Sequence, residues 1–166
     1  VGAPSLNYSD ATNPGYKAFK ETWSGRKRMV YVGANDGMMH AIDGTLDSET
    51  NNTTAGQEVF AYVPSPLYSG PNSTPNVDGL AALGNPSYVT AHRNYVNATP
   101  YVQDIDFGKT YGASGTDWRS LLIGGLGKGG KSYYAIDVTD PSQFSTETKA
   151  KAKVLWEFTD STMGYT

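Results

Sequence analysis

The sequence has no cysteine among its 166 residues. That excludes a disulfide framework, a thiol nucleophile and a cysteine-ligated zinc site. It does not fix the compartment, because a large β domain can be exported without disulfides. Charge of one sign is also scarce: 13 Lys+Arg against 16 Asp+Glu leave a formal net charge of −3. Nucleic-acid binding needs a basic stripe to neutralise phosphates, so this balance argues against it. No run approaches the roughly 18 apolar residues of a membrane-spanning helix. Leu, Ile, Val and Phe supply 29 residues. Such a low share signals disorder only alongside a high net charge, which is missing here. Twenty aromatics, 12 of them Tyr, provide the bulk instead, and predict a foldable, tyrosine-rich core. The length suits one domain. The chain starts at Val1 rather than Met and carries no signal-like segment, so it is expected to be an excerpt of a longer protein.

Residues 1–28 read as a linker followed by a short helix. Tyr16, Phe19 and Trp23 recur at helical spacing, Asn13-Pro14 offers a start and Gly25 a stop. The remainder reads as strands: MVYVG (29–33), MMHAID (38–43), EVFAYVP (58–64), RNYVN (93–97), YVQDIDF (101–107), RSLLIGG (119–125), SYYAIDV (132–138) and KVLWEFT (153–159). Ala34-Asn35-Asp36-Gly37 joins the first two as an Asp-Gly hairpin turn, which needs positive φ. Between about 64 and 92 lies a long Pro/Gly/Asn/Ser segment, read as an inserted loop.

The strands repeat as a unit. Val30-Tyr31-Val32-Gly33, a glycine turn, Ala41-Ile42-Asp43 and Val59-Phe60-Ala61-Tyr62 match Leu121-Leu122-Ile123-Gly124, a glycine turn, Ala135-Ile136-Asp137 and Val154-Leu155-Trp156-Glu157-Phe158. Repetition of one supersecondary unit marks a repeat architecture. The expected fold is all-β: a partial, quinoprotein-like β-propeller over 29–166, with about two four-stranded antiparallel blades, a short N-terminal helix before it and the first blade carrying the insertion. Two blades leave sheet faces bare, so 1–166 alone is expected to aggregate or be molten.

The motifs YVGANDGMMHAID (31–43), GQEVFAYVP (56–64), LLIGGLGKGGKSYYAIDVTDP (121–141) and VLWEFTD…MGYT (154–166), in this order, resemble the β-propeller domain of the PilC/PilY family of type IV pilus-associated adhesins and biogenesis factors. The family usually has an Asp-Gly turn where this chain has Asn97-Ala98. The resemblance implies a non-catalytic module in pilus biogenesis, twitching motility and adhesion of a Gram-negative bacterium. It implies export through the periplasm to the cell surface, pilus tip or outer membrane. The implied partners are pilins or minor pilins and host or abiotic surface receptors. Calcium loops occur in the family, but the nearest match here, Thr74-x-Asn76-x-Asp78-Gly79, starts on the wrong residue and lacks a downstream acid. No cofactor is expected in this segment; calcium is left to the rest of the protein. Two alternatives are a pyrroloquinoline quinone-dependent dehydrogenase, whose propellers share the cadence, and an outer-membrane assembly scaffold.

Candidate sites are few. Gly125-x-Gly127-x-x-Gly130, with Gly129 inside it, formally matches a dinucleotide fingerprint. That chemistry needs a helix next, and here a strand follows, so a glycine β-turn is expected. Asn35, Asp36 and Gly37 are read as turn formers. Asp43 and Asp137, ending equivalent strands, are expected to cap the next turn's amides. His40 and His92 are read as structural, His40 bonding a neighbouring strand. Arg26-Lys27-Arg28 and Lys149, Lys151 and Lys153 read as solvated edges. Among tyrosines near the inserted loop (Tyr62, Tyr68, Tyr88, Tyr95, Tyr101, Tyr111), Tyr68, Tyr88 and Tyr111 are the candidate partner contacts. No nucleophile elbow, metal-ligand cluster or forced carboxylate pair points to an enzyme.

Overall fold

Runs of β-branched and aromatic residues, cut by glycine and Asx turns, build seven strands in the computed structural model, which describes residues 1–46, 54–109 and 115–163. They are β1 (Met29–Gly33), β2 (Met39–Asp43), β3 (Glu58–Tyr62), β4 (Tyr101–Asp106), β5 (Trp118–Gly125), β6 (Ser132–Asp137) and β7 (Val154–Thr159). All pairings are antiparallel. One sheet has the order β1-β2-β3 and the other β4-β5-β6-β7, so the fold is all-β with two propeller-type sheets that do not close on each other.

The internal repeat is visible bond by bond. Met29 pairs with Asp43 as Leu121 pairs with Asp137. Gly44 N–H donates to the Arg28 carbonyl and Val138 N–H to that of Ser120, each at 2.9 Å. The third strand of each unit meets a register shift at the same place, Ala41/Ile42 and Ala135/Ile136. Register corrects the sequence alignment by one residue: Met29, not Val30, corresponds to Leu121, and the second glycine turn is two residues longer.

The sheets stack face to back. On the first sheet, Met39 is wholly buried in the core cluster, and Tyr31, Phe60 and Tyr62 pack against that cluster. They meet Leu122, Tyr134 and Ile136 from the opposite-parity face of the second sheet. Phe60 stacks on Phe144 at 3.9 Å between centroids and 8° between planes, and Tyr62 lies 5.0 Å from Tyr134. The second-sheet counterparts of Met39, Phe60 and Tyr62 are Tyr133, Trp156 and Phe158. These three are exposed. Each sheet thus offers one kind of face and receives another.

Three expectations change. The first sheet has three strands among the described residues, not four. Residues 93–97 form no strand; β4 pairs with β5 and completes the second sheet instead. The reason is that Tyr95 and Val96 bury their side chains completely between two turns, and their amides bond Asn35 Oδ1 and the Ala34 carbonyl rather than a strand ladder. The helix α1 spans Tyr16–Thr22; it follows Gly15 at φ 79° and stops before Trp23, so only Tyr16 and Phe19 are buried from its face. Tyr16 docks this segment on the second sheet, donating 2.7 Å to Asp104 Oδ2 on β4 and meeting the Trp118 ring edge-on at 4.8 Å.

Residues 64–92 hold a short helix (Pro66–Ser69) and two 3-10 turns (Leu80–Gly84, Tyr88–Thr90). Leu67 is fully buried, with Leu80, Leu83 and Tyr88 packed around the same core. The segment therefore caps the junction between the sheets.

Candidate functional site

At one rim, the two glycine turns converge on residues 95–98. Asp36 Oδ1 accepts from Met38 N–H at 2.9 Å, closing an Asx turn. Gly37 sits at φ 93°, and a β-carbon there would fall 2.2 Å from Leu80 Cδ2. Asn35 Oδ1 accepts from Tyr95 N–H at 3.2 Å, and Val96 N–H reaches the Ala34 carbonyl at 3.3 Å. From the other side, Asn97 N–H donates to the Leu126 carbonyl at 3.1 Å. Gly127 adopts φ 57°, while a β-carbon on Gly129 would lie 1.7 Å from the Tyr95 carbonyl oxygen. Gly125 passes the Tyr133 ring and Gly130 the Leu126 side chain, both at 2.9 Å from an ideal β-carbon. Tyr95 OH donates to the Gly79 carbonyl at 3.0 Å, tying the 64–92 segment to the same point. No helix follows Gly130: the chain passes into β6 at Ser132, and the Gly129 amide donates back to the Leu126 carbonyl at 2.9 Å.

Beside this rim His40 lies between two carboxylates. Nε2 is 2.8 Å from Asp36 Oδ2 and Nδ1 is 2.5 Å from Glu58 Oε2 on β3. The Glu58 contact, with Asp36 adding to it, raises the imidazole above its ordinary 6.5 against the opposing effect of burial. Because the acids bind opposite ring nitrogens, they do not converge on a shared cation. Among the described residues, no three His, Asp or Glu are arranged to hold a metal.

The repeat carboxylates are internal. Asp43 Oδ1 accepts from Thr45 N–H and Asp137 Oδ1 from Thr139 N–H, both at 3.0 Å. Lys27 Nζ lies 2.7 Å from Asp43 Oδ2, so this basic residue is not simply solvated. Arg119 and Lys153 approach Asp137 at 3.9 Å. Arg26 is likewise internal: it donates to the Gly2 carbonyl and, at 2.7 Å, to Ser120 Oγ. Asp78, at the nearest calcium-loop match, is buried with Oδ2 accepting from Asn72 N–H and Nδ2–H.

The candidate contact tyrosines separate. Tyr68 is 60% exposed and lines an open groove with Phe60, Tyr62, Phe144, Lys151 and Glu157. Tyr88 is half-buried, its hydroxyl on the Arg93 carbonyl at 3.3 Å and its ring 5.6 Å from His92. Tyr111 lies outside the described residues. Sequence reasoning missed Glu157, which accepts from Tyr62 OH, Ser65 Oγ and, at 2.7 Å, Ser65 N–H, bridging β7 to the end of β3 and the segment after it. Only the alternation in VLWEFT, which sets Glu157 opposite in parity to Trp156 and Phe158, hinted at it.

The model of the PilY1 β-propeller domain matches residues 2–164. The chain belongs to the PilY1 β-propeller family. Within that family it is 36% identical over 154 residues to the type IV pilus biogenesis factor PilY1 of Pseudomonas aeruginosa strain UCBPP-PA14, covering 91% of this chain and 10% of that protein. A PilY1 homolog of Xylella fastidiosa is 36% identical over 168 residues, covering 99% of this chain and 11% of its own length. The crystal structure of the Pseudomonas aeruginosa PilY1 C-terminal domain matches with a TM-score of 0.53 and 32% identity, over 95% of this chain and 24% of that one. The chain thus spans about a tenth of the length of the curated PilY1 relatives.

Proposed function

We propose that this chain is a non-catalytic propeller module of a type IV pilus biogenesis factor, displayed at the cell surface or pilus tip. It works in pilus biogenesis, twitching motility and attachment, with pilins or minor pilins and surface receptors as partners. The observation that carries this reading is the match to PilY1 along nearly the whole chain, across both repeat units and the segment that links them. The polar groups around the rim are engaged within the fold. The histidine flanked by acids is held by two carboxylates, the glycine loop is packed on backbone, and the repeat aspartates serve turn amides and internal cations. Calcium, in this reading, belongs to other parts of the full-length protein.

The test is removal of the segment encoding residues 1–166 from the full-length gene in its own bacterium. Sheared surface pili, twitching zone and attachment should all fall. Unchanged values in the three assays, with the shortened protein still exported, overturn the proposal. Oxidation of alcohols by the full-length protein supplied with pyrroloquinoline quinone and calcium would favour the dehydrogenase reading instead.

A further inference from the structure

The edge of β1 is already half-paired. Val1 N–H donates to the Met29 carbonyl at 2.5 Å, and Met29 N–H donates back to the Val1 carbonyl at 2.7 Å. Two reciprocal bonds between the same residues are the signature of a hydrogen-bonded antiparallel pair. The second sheet shows what stands at that place. Leu121 corresponds to Met29, and its partner on the outer side is Gln103 of β4. Val1 therefore occupies the position of Gln103. In β4 the residues before it, Val102 and Tyr101, go on to pair with Leu122 and Ile123. The counterparts of those two on the first sheet are Val30 and Tyr31.

We propose that in the full-length protein the residues running directly into Val1 form the fourth strand of the first sheet, antiparallel to β1. The register is fixed: the residue before Val1 lies opposite Val30, the next opposite Tyr31. On the β2 side, the Arg28 carbonyl and Ala34 N–H are engaged. Alternation along the strand then turns the backbone groups of Met29 and Tyr31 to the open edge. Met29 is taken by Val1, and Tyr31 is next in line. Continuity selects this occupant. The residue before Val1 is tethered one Cα step, about 3.8 Å, from a residue already seated in the sheet. Any other strand would have to end against Val1. The anchor is itself fixed, since Arg26 holds the Gly2 carbonyl through two nitrogens. The inference concerns the propeller and is independent of the pilus role.

The experiment uses the full-length protein. Val30→Cys is combined with a cysteine at the residue immediately before Val1, a non-hydrogen-bonded pair whose Cα atoms would be about 4.5 Å apart. Mild oxidation should close this disulfide, seen by peptide mapping, and should leave Val30→Cys open with a cysteine one residue further upstream. In the unsubstituted full-length protein, the Tyr31 amide should exchange with solvent at least 100-fold more slowly than an open-chain amide. Failure of the in-register pair to close, equal closure of the shifted pair, or a freely exchanging Tyr31 amide each overturns the proposal. A protected Tyr31 amide with no in-register closure assigns the edge to another segment and overturns it too.

Discussion

Gly124 and Tyr134 face each other across β5 and β6, and the tyrosine ring fills the volume a side chain at 124 would need. An ideal β-carbon on Gly124 lies 2.1 Å from Tyr134 Cζ, and the ring is fully buried between the sheets. At the matching place in the first sheet, Val32 faces His40. The repeat thus exchanges a large residue for glycine where its partner becomes a buried ring. Gly124→Ala should destabilise the full-length protein by about 1–3 kcal/mol through overpacking. The added Tyr134→Leu change should recover part of that loss. Thermal unfolding of the single and double variants decides it; additive costs would contradict the contact.

Gly129→Ala should be worse than Gly124→Ala, because its β-carbon meets the Tyr95 carbonyl oxygen, a backbone atom that cannot rotate away. Gly25→Ala is the control, with nothing within 4 Å of its β-carbon. Unfolding free energies from denaturant titration should fall for the first and stay within about 0.5 kcal/mol of wild type for the second.

His40 makes stability pH-dependent with a defined sign. Its folded-state pKa is raised above the ordinary 6.5, first by Glu58 and then by Asp36. The stabilisation is therefore fully present below about pH 6.5 and is lost as pH rises through the raised value. Both carboxylates are partly exposed, so the effect is modest, about 0.2–1 kcal/mol, and weakens with salt. His40→Gln should abolish this part of the pH profile; unfolding curves at pH 5.5 and 9 with an unchanged wild-type difference would refute it.

Asp43→Asn should cost more than Asp137→Asn. Asp43 has its carboxylate fully buried and Lys27 at 2.7 Å, whereas the cations near Asp137 stand at 3.9 Å. Loss of a charged hydrogen-bond acceptor in the first site should remove about 1.5–3 kcal/mol. Urea midpoints of the two variants give the order directly.

Residues 1–166 made alone should self-associate, because Tyr133, Trp156 and Phe158 lie bare on the outer face of the second sheet. Sedimentation should show mass rising with concentration, and Trp156→Lys with Phe158→Lys should reduce it. A monomeric, cooperative melt of the unsubstituted chain would count against this.

Much of this arrangement is legible in the residues. The two Ala-Ile-Asp segments 94 residues apart announce the repeat. The glycine turns announce where chains reverse. What local reading loses is how a segment is used. Arg93–Asn97 carries the β-formers Tyr95 and Val96, yet these side chains fill the junction between two turns and the backbone finds no ladder. Propensity describes a strand's side chains, and tertiary packing claimed them first. Lys27 and Arg26 looked like a solvated basic run because sequence cannot show the buried Asp43 and Ser120 that receive them. Glu157 was invisible for the same reason: its partners Tyr62 and Ser65 are more than 90 positions away.

The unlike faces of each sheet carry a polarity that two copies cannot exhaust. Head-to-tail contacts have no built-in stop; they end only when the accumulated rotation returns the last surface to the first, and otherwise continue as a helix. The angle between adjacent sheets therefore governs whether a circle shuts, and Phe60 lying flat on Phe144, in the turn between β6 and β7, is one of the contacts made at that junction. A small change of tilt at one junction adds to that of every other, so in a closing array the error gathers at the last contact to form.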